Sequence, residues 1–143
     1  SRYAEPNVYI GVCGHDDANR VDASGAAAVA VMGEVAEPDL HSGPCGLGVP
    51  LALARRLESG DAAALEGLNG QSAVIAWDGA RRTLHAVTDR LSCVNLFAWE
   101  APGVTVLATR MLSLIGLPGF PRELDREGVA DLLAIGCCID GRT

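Results

Sequence analysis

The strongest constraint on the fold is a run of two consecutive hairpin patterns in the second half of the chain. The apolar stretch Ser72–Trp77 (SAVIAW) is followed by the turn residues Asp78-Gly79-Ala80-Arg81 and then by the alternating segment Thr83–Thr88. Val94–Trp99 and Val104–Ala108 repeat the plan through Glu100-Ala101-Pro102-Gly103. Strands joined by turns this short pair antiparallel, because a parallel pair needs a long crossover. The chain is therefore predicted to be α+β, with helices layered on antiparallel sheets and no βαβ winding.

The first half reads less regularly. Asn7–Cys13 (NVYIGVC) and Ala26–Met32 (AAAVAVM) are predicted as buried strands. Gly14–Ser24 carries His15, Asp16, Asp17 and Asn19 and reads as a loop. Glu34–Pro50 is broken by Pro38, Gly43, Pro44, Gly46 and Gly48 and reads as irregular. Helices are predicted at Leu51–Glu58, Asp61–Leu68, Met111–Leu117 and Leu124–Ile135, the last with Asp125 and Arg126 near its start.

A chain of 143 residues can bury roughly two-thirds of its unfolded surface, enough for a core without disulfides or metal. Hydrophobic residues make up 49% and charged residues 20%, a globular balance. No apolar run reaches the ~18 residues of a membrane helix. The net charge is −7, and all eleven basic residues are Arg. That balance offers no basic patch for nucleic acid. Five cysteines, Cys13, Cys45, Cys93, Cys137 and Cys138, have irregular spacing. No basic, apolar-cored leader precedes Asn7, so reduced thiols in a cytoplasmic setting are the expectation. No Cys/His pair has zinc spacing, since Ser42-Gly43-Pro44 interrupts His41 and Cys45, and no metal site is expected. His85 falls on an alternating strand and reads as a sheet-surface residue; His15 reads as part of a solvated loop.

Several motifs then follow one another at set intervals. They are Leu68-Asn69-Gly70, Asp78, Asp89-Arg90, Leu96-Phe97, Ala108-Thr109 and Leu112. On their own, Asn69-Gly70 have turn chemistry at the entry to a strand. Asp89-Arg90 at a strand end is open between a local ion pair and a turn cap. Trp77, Phe97 and Trp99 read as sheet packing. Taken in order, the motifs resemble the glutaminase half of the asparagine-synthetase family. Residues 124–143 resemble the start of the segment that links that half to a synthetase half, leaving residues 1–123 as the glutaminase-like domain. The resemblance implies a four-layer αββα sandwich of antiparallel sheets, of the N-terminal-nucleophile type and shortened in its first half. It also implies that Asp89 and Arg90 tie a strand end to the neighbouring loop.

In that family the nucleophile is a cysteine at the very start of the mature chain, where its own α-amine serves as base. The matching position here is Asn7, with Ile10-Gly11-Val12 continuing the pattern. Asn7 is no nucleophile, and Cys13 lies at the far end of the strand. Where the family has Asn-Gly-Glu this chain has Met32-Gly33-Glu34, which removes an oxyanion-holding amide and leaves Gly33 and Glu34 as the pocket remnant. The family's substrate-binding acid falls near Ser42-Gly43-Pro44, and its Arg-Gly-Pro-Asp stretch has no counterpart.

The leading expectation is a degenerate, non-hydrolysing glutaminase-like domain of an ATP-dependent amide synthetase, similar to those that form lactams and macrolactams. Its role would be structural or substrate-positioning, and no catalytic residue is assigned. The domain itself is expected to need no cofactor; ATP and Mg belong to the synthetase partner, in cis or in trans. A second expectation is a scaffold or dimerisation module for such a synthetase. A third is an active amidohydrolase using Ser1, disfavoured because Arg2–Pro6 is expected to extend away from the first strand.

Overall fold

The computed structural model describes residues 1–12, 19–36 and 48–137. Within them the protein is α+β, and every strand pairing is antiparallel. β1 (Arg2–Glu5) and β2 (Val8–Gly11) form a hairpin. β3 (Arg20–Ser24), β4 (Ala27–Val35), β5 (Gly70–Asp78) and β6 (Thr83–Thr88) form a four-stranded meander in that order. β7 (Phe97–Ala101) and β8 (Val104–Ala108) form a second hairpin. The helices are α1 (Val49–Glu58), α2 (Met111–Ile115) and α3 (Arg126–Ile135).

The near-continuous apolar character of β4 and β5 follows from burial on both faces, which removes the usual alternation. Ala27, Val29, Val31, Val74 and Ala76 meet Leu53, Ala54 and Leu57 of α1 on one side. On the other side Ala28, Ala30, Ile75 and Trp77 meet Tyr3, Val8 and Ile10 of the first hairpin. Helix, sheet and hairpin are thus stacked as three layers with β4 and β5 at the centre. α1 supplies Val49, Leu53 and Leu57 at fourfold spacing, so one stripe faces the sheet. Pro50 sits in its first turn, where a missing N–H costs nothing. α2 packs on β8, with Leu114 buried there.

Several expectations need correction. Arg2–Glu5 does not run away from the first strand; it is a strand paired with it. Glu5-Pro6-Asn7-Val8 closes that hairpin, with Asn7 at φ 72, as fits a turn with Pro second and Asn third. Residues 20–24, read as loop, form β3 because Val21 is buried against the hairpin while its neighbours stay partly exposed. The helix expected at Asp61–Leu68 shrinks to one 3-10 turn, Ala62–Leu65. Asp61 gives it no side-chain cap, and Gly67 at φ 72 leaves helical space. Val94–Leu96 falls outside β7. Asp125 does cap α3, accepting from the Glu127 N–H at 3.0 Å, and Gly136 ends it at φ 81. No helix among the described residues is long and apolar enough to cross a membrane.

Candidate functional site

The residues singled out from the sequence gather at two opposite ends of the central sheet. At one end β4 and β5 are drawn together by glycines. Gly33 pairs with Ser72, and Glu34 with Gln71. Gly33 has φ 88 and Gly70 φ 125. A Cβ on Gly33 would land on the Gln71 carbonyl, and one on Gly70 on the Glu34 carbonyl. Only glycine permits this approach. The Asn69 carbonyl accepts from the Ala36 N–H at 2.8 Å, and the Asn19 side chain accepts from the Gly33 N–H at 3.2 Å.

Asp89 completes this end. Its carboxylate accepts from the N–H groups of Leu91 at 2.9 Å, Cys93 at 3.0 Å and Ser72 at 3.2 Å, while its own N–H donates to the Ser72 carbonyl at 2.9 Å. Burial pushes this carboxyl's pKa up, but the amides of Leu91, Cys93 and Val94 outweigh it and hold the pKa below the usual carboxylate range. The question left open for Asp89-Arg90 is answered for the aspartate: it is a turn cap that fastens residues 91–93 to β5. Arg90 is exposed. Cys93, an exposed residue, lies beside Asp89, and partial desolvation followed by the Asp89 charge raises its thiol pKa.

The other end holds Asp78 and a cleft. Asp78 is 2% exposed and accepts from Arg81 twice, from its N–H at 3.0 Å and its guanidinium at 2.8 Å. The guanidinium hydrogen bond is the main cause that lowers its pKa. Beside this turn opens a cleft of about 1020 Å³ with Asn7, Val8 and Tyr9 on one wall and Val104–Leu107 on another. Ile75, Trp77 and Leu84 are its apolar floor, and Glu5 and Arg82 are its charged groups. Glu5 is held in place: one carboxylate oxygen accepts from the Trp77 indole N–H at 3.2 Å, and the other accepts from the Tyr3 hydroxyl. Burial first, and then the Glu5 contact, push the Tyr3 pKa up to about 12.

Asn7 and Gly33-Glu34 are therefore not brought together. Ser72, opposite Gly33, and Trp77, in the cleft, stand five residues apart on β5, which is roughly 16 Å along an extended strand. Ser1 lies away from the Asn7 turn: its hydroxyl accepts from the Val21 N–H at 2.8 Å, and its amine donates to the Val12 carbonyl at 3.3 Å. Cys13, His15, His41 and Ser42-Gly43-Pro44 lie outside the described residues.

Compared with protein-family models, curated proteins and solved structures, the chain matches none.

Tyr3, Glu5 and Arg82 were not singled out from the sequence. The signal for the first two was present, since Pro6-Asn7 marks a hairpin that makes Arg2–Glu5 a strand. Arg82 carried none, because its position depends on the second hairpin closing the cleft. Among the described residues no group of three His, Cys, Asp or Glu could hold a metal ion. Trp99 packs edge-to-face on Phe120, ring centroids 5.4 Å apart.

Proposed function

We propose that this chain is a glutaminase-like domain that does not hydrolyse glutamine, and that it supports a synthetase partner which joins a carboxylate to an amine at the expense of ATP. The observation that carries this reading is the setting of Asn7. The residue at the nucleophile position is an amide, its backbone is left-handed in a tight turn, and a paired strand precedes it. A terminal nucleophile needs a thiol or hydroxyl next to its own free α-amine; Asn7 has neither. The stacking of α1, an antiparallel sheet and a β-hairpin, together with α2 packed on β8, supports an αββα arrangement of the glutaminase kind.

The test is glutamine hydrolysis: purified protein with millimolar L-glutamine, glutamate detected, and an active glutaminase of the same family as positive control. No glutamate is the expected result. Turnover that survives repurification would overturn the reading, and Ser1→Ala would then locate the nucleophile.

A second reading, a docking or dimerisation module, has one observation in its favour. α3 buries only Gly128, and Leu132, Leu133 and Ile135 are exposed, Leu133 by 83%. Apolar side chains left on a helix in the segment expected to lead to a synthetase half suit contact with such a partner. Co-purification with a synthetase, lost on Leu133→Glu, would favour it.

A further inference from the structure

The cleft beside Trp77 is walled by strands in an unusual way. Val8–Gly11 and Val104–Leu107 each contribute an uninterrupted run of residues to it, the first continuing through the Pro6-Asn7 turn to Ala4 and Glu5 at the end of β1. A strand face would contribute alternate residues; an uninterrupted run is what a strand edge presents. Among the described residues both edges are open. β2 pairs only with β1, and β8 only with β7.

The ladders fix which backbone groups point outward. In the first hairpin the two-residue turn makes Glu5 and Val8 a hydrogen-bonded pair, and the Val12 N–H donating to the Ser1 carbonyl at 3.0 Å continues the same phase. Tyr9 and Gly11 therefore aim their N–H and C=O groups away from β1. In the second hairpin, Ala101 and Val104 flank the Pro102-Gly103 turn, so Thr105 and Leu107 aim theirs away from β7. Among the described residues none of these four has a backbone partner on its outward side. Two unpaired edges thus border one cavity whose floor is apolar.

The geometry points to a strand-accepting slot: we propose that the cleft between β2 and β8 takes up an extended peptide segment of a partner protein, apolar at alternate positions and acidic at the Arg82 end. An added strand satisfies backbone groups that edges otherwise leave open. Its inward side chains would cover Ile75, Trp77 and Leu84. The preference for an acid follows from charge. Arg81 is paired with Asp78, and among the described residues no carboxylate pairs with Arg82, whereas Glu5 at the same end is already held by Trp77 and Tyr3. A small apolar molecule would leave both strand edges unpaired, which is why a peptide fits better. The proposal stands apart from the glutaminase reading and does not need it.

The probes are two capped hexapeptides, VTVTVD and DVTVTV, which place the acid at either end so that strand direction is left open. Amide hydrogen exchange of the whole chain is followed as each is added. Protection of Tyr9, Gly11, Thr105 and Leu107, saturating with one of the peptides, is expected. N-methylation of that peptide at alternate residues removes about two backbone bonds and should weaken binding at least roughly tenfold. Arg82→Glu should weaken the acidic peptide roughly tenfold and reverse the preference towards a peptide carrying Lys in place of Asp. No protection of these amides at millimolar peptide would overturn the proposal. So would binding indifferent to N-methylation, which means side-chain contact alone. A dimer that protects the same amides without peptide would also overturn it, by assigning the slot to a second copy of this chain.

Discussion

Replacing Gly70 by Ala tests the close approach of β4 and β5 at the end where Gly33, Glu34, Asn69 and Asp89 meet. Two costs add there. The backbone stands at φ 125, a conformation that costs an L-residue about 1–3 kcal/mol. The new methyl would also land on the Glu34 carbonyl, a backbone atom held in the ladder by the Val35–Gly70 and Glu34–Gln71 pairs. Shifting a packed strand to make room costs a further ~1–3 kcal/mol. The expected loss is roughly 4 kcal/mol. For 143 residues, an unfolding entropy of ~2.1 cal/mol/K per residue turns that into a fall in Tm of roughly 13 °C. Gly67→Ala is the matched control: φ is 72 there, but nothing lies within 4 Å of the added Cβ. It should cost only ~1 kcal/mol, from backbone strain alone. Urea titrations of both variants, read at an unchanged m-value, separate the two costs. Equal destabilisation of the two variants would refute the argument, since the strands at Gly70 would then have room for a methyl.

Asp89→Asn should loosen residues 91–93 and make Cys93 more reactive. The Asp89 charge raises the thiol pKa second only to desolvation, so removing it lowers that pKa; alkylation at pH 8, mapped to Cys93 by mass spectrometry, should be faster than in the parent, and an unchanged rate would count against the cap. Tyr3 gives a test in the alkaline range. Its phenol is neutral up to about 12 in the folded protein against 10.0 for the free group. Between those values the unfolded chain has lost a proton that the folded chain keeps, so stability falls as pH rises through this window. Tyr3→Phe should flatten that slope, measured as urea midpoints from pH 9 to 12.

Much of the sheet could be read directly from local pattern. Thr83–Thr88 alternates, it and Val104–Ala108 each follow a Gly turn, and both strands have the limits their sequence marks. Asp125 and Gly136 bracket α3 through cap chemistry that needs no tertiary partner. The elements that were missed have weak patterns of their own. β1 and β3 are short and largely polar, and they become strands because β2 and β4 offer them edges. Asp61–Leu68 has helical composition, but only Leu65 finds a buried place. The candidate site was legible only in part. The sequence placed an unreactive residue at Asn7 and kept Gly33 and Glu34, but it treated them as one pocket.

By itself, then, the sequence determined antiparallel pairing through its short turns and the absence of a thiol or hydroxyl at Asn7; the need for glycine at positions 33 and 70 came from the close approach of β4 and β5. Tertiary structure decided the rest. Burial of β4 and β5 on both faces set which residues meet, and the length of β5 put the cleft that Asn7 lines and Gly33 at opposite ends of that strand. The cleft between β2 and β8 belongs to neither strand's own sequence. It exists because two hairpins far apart in the chain stop short of pairing, and no periodicity within either one records that gap.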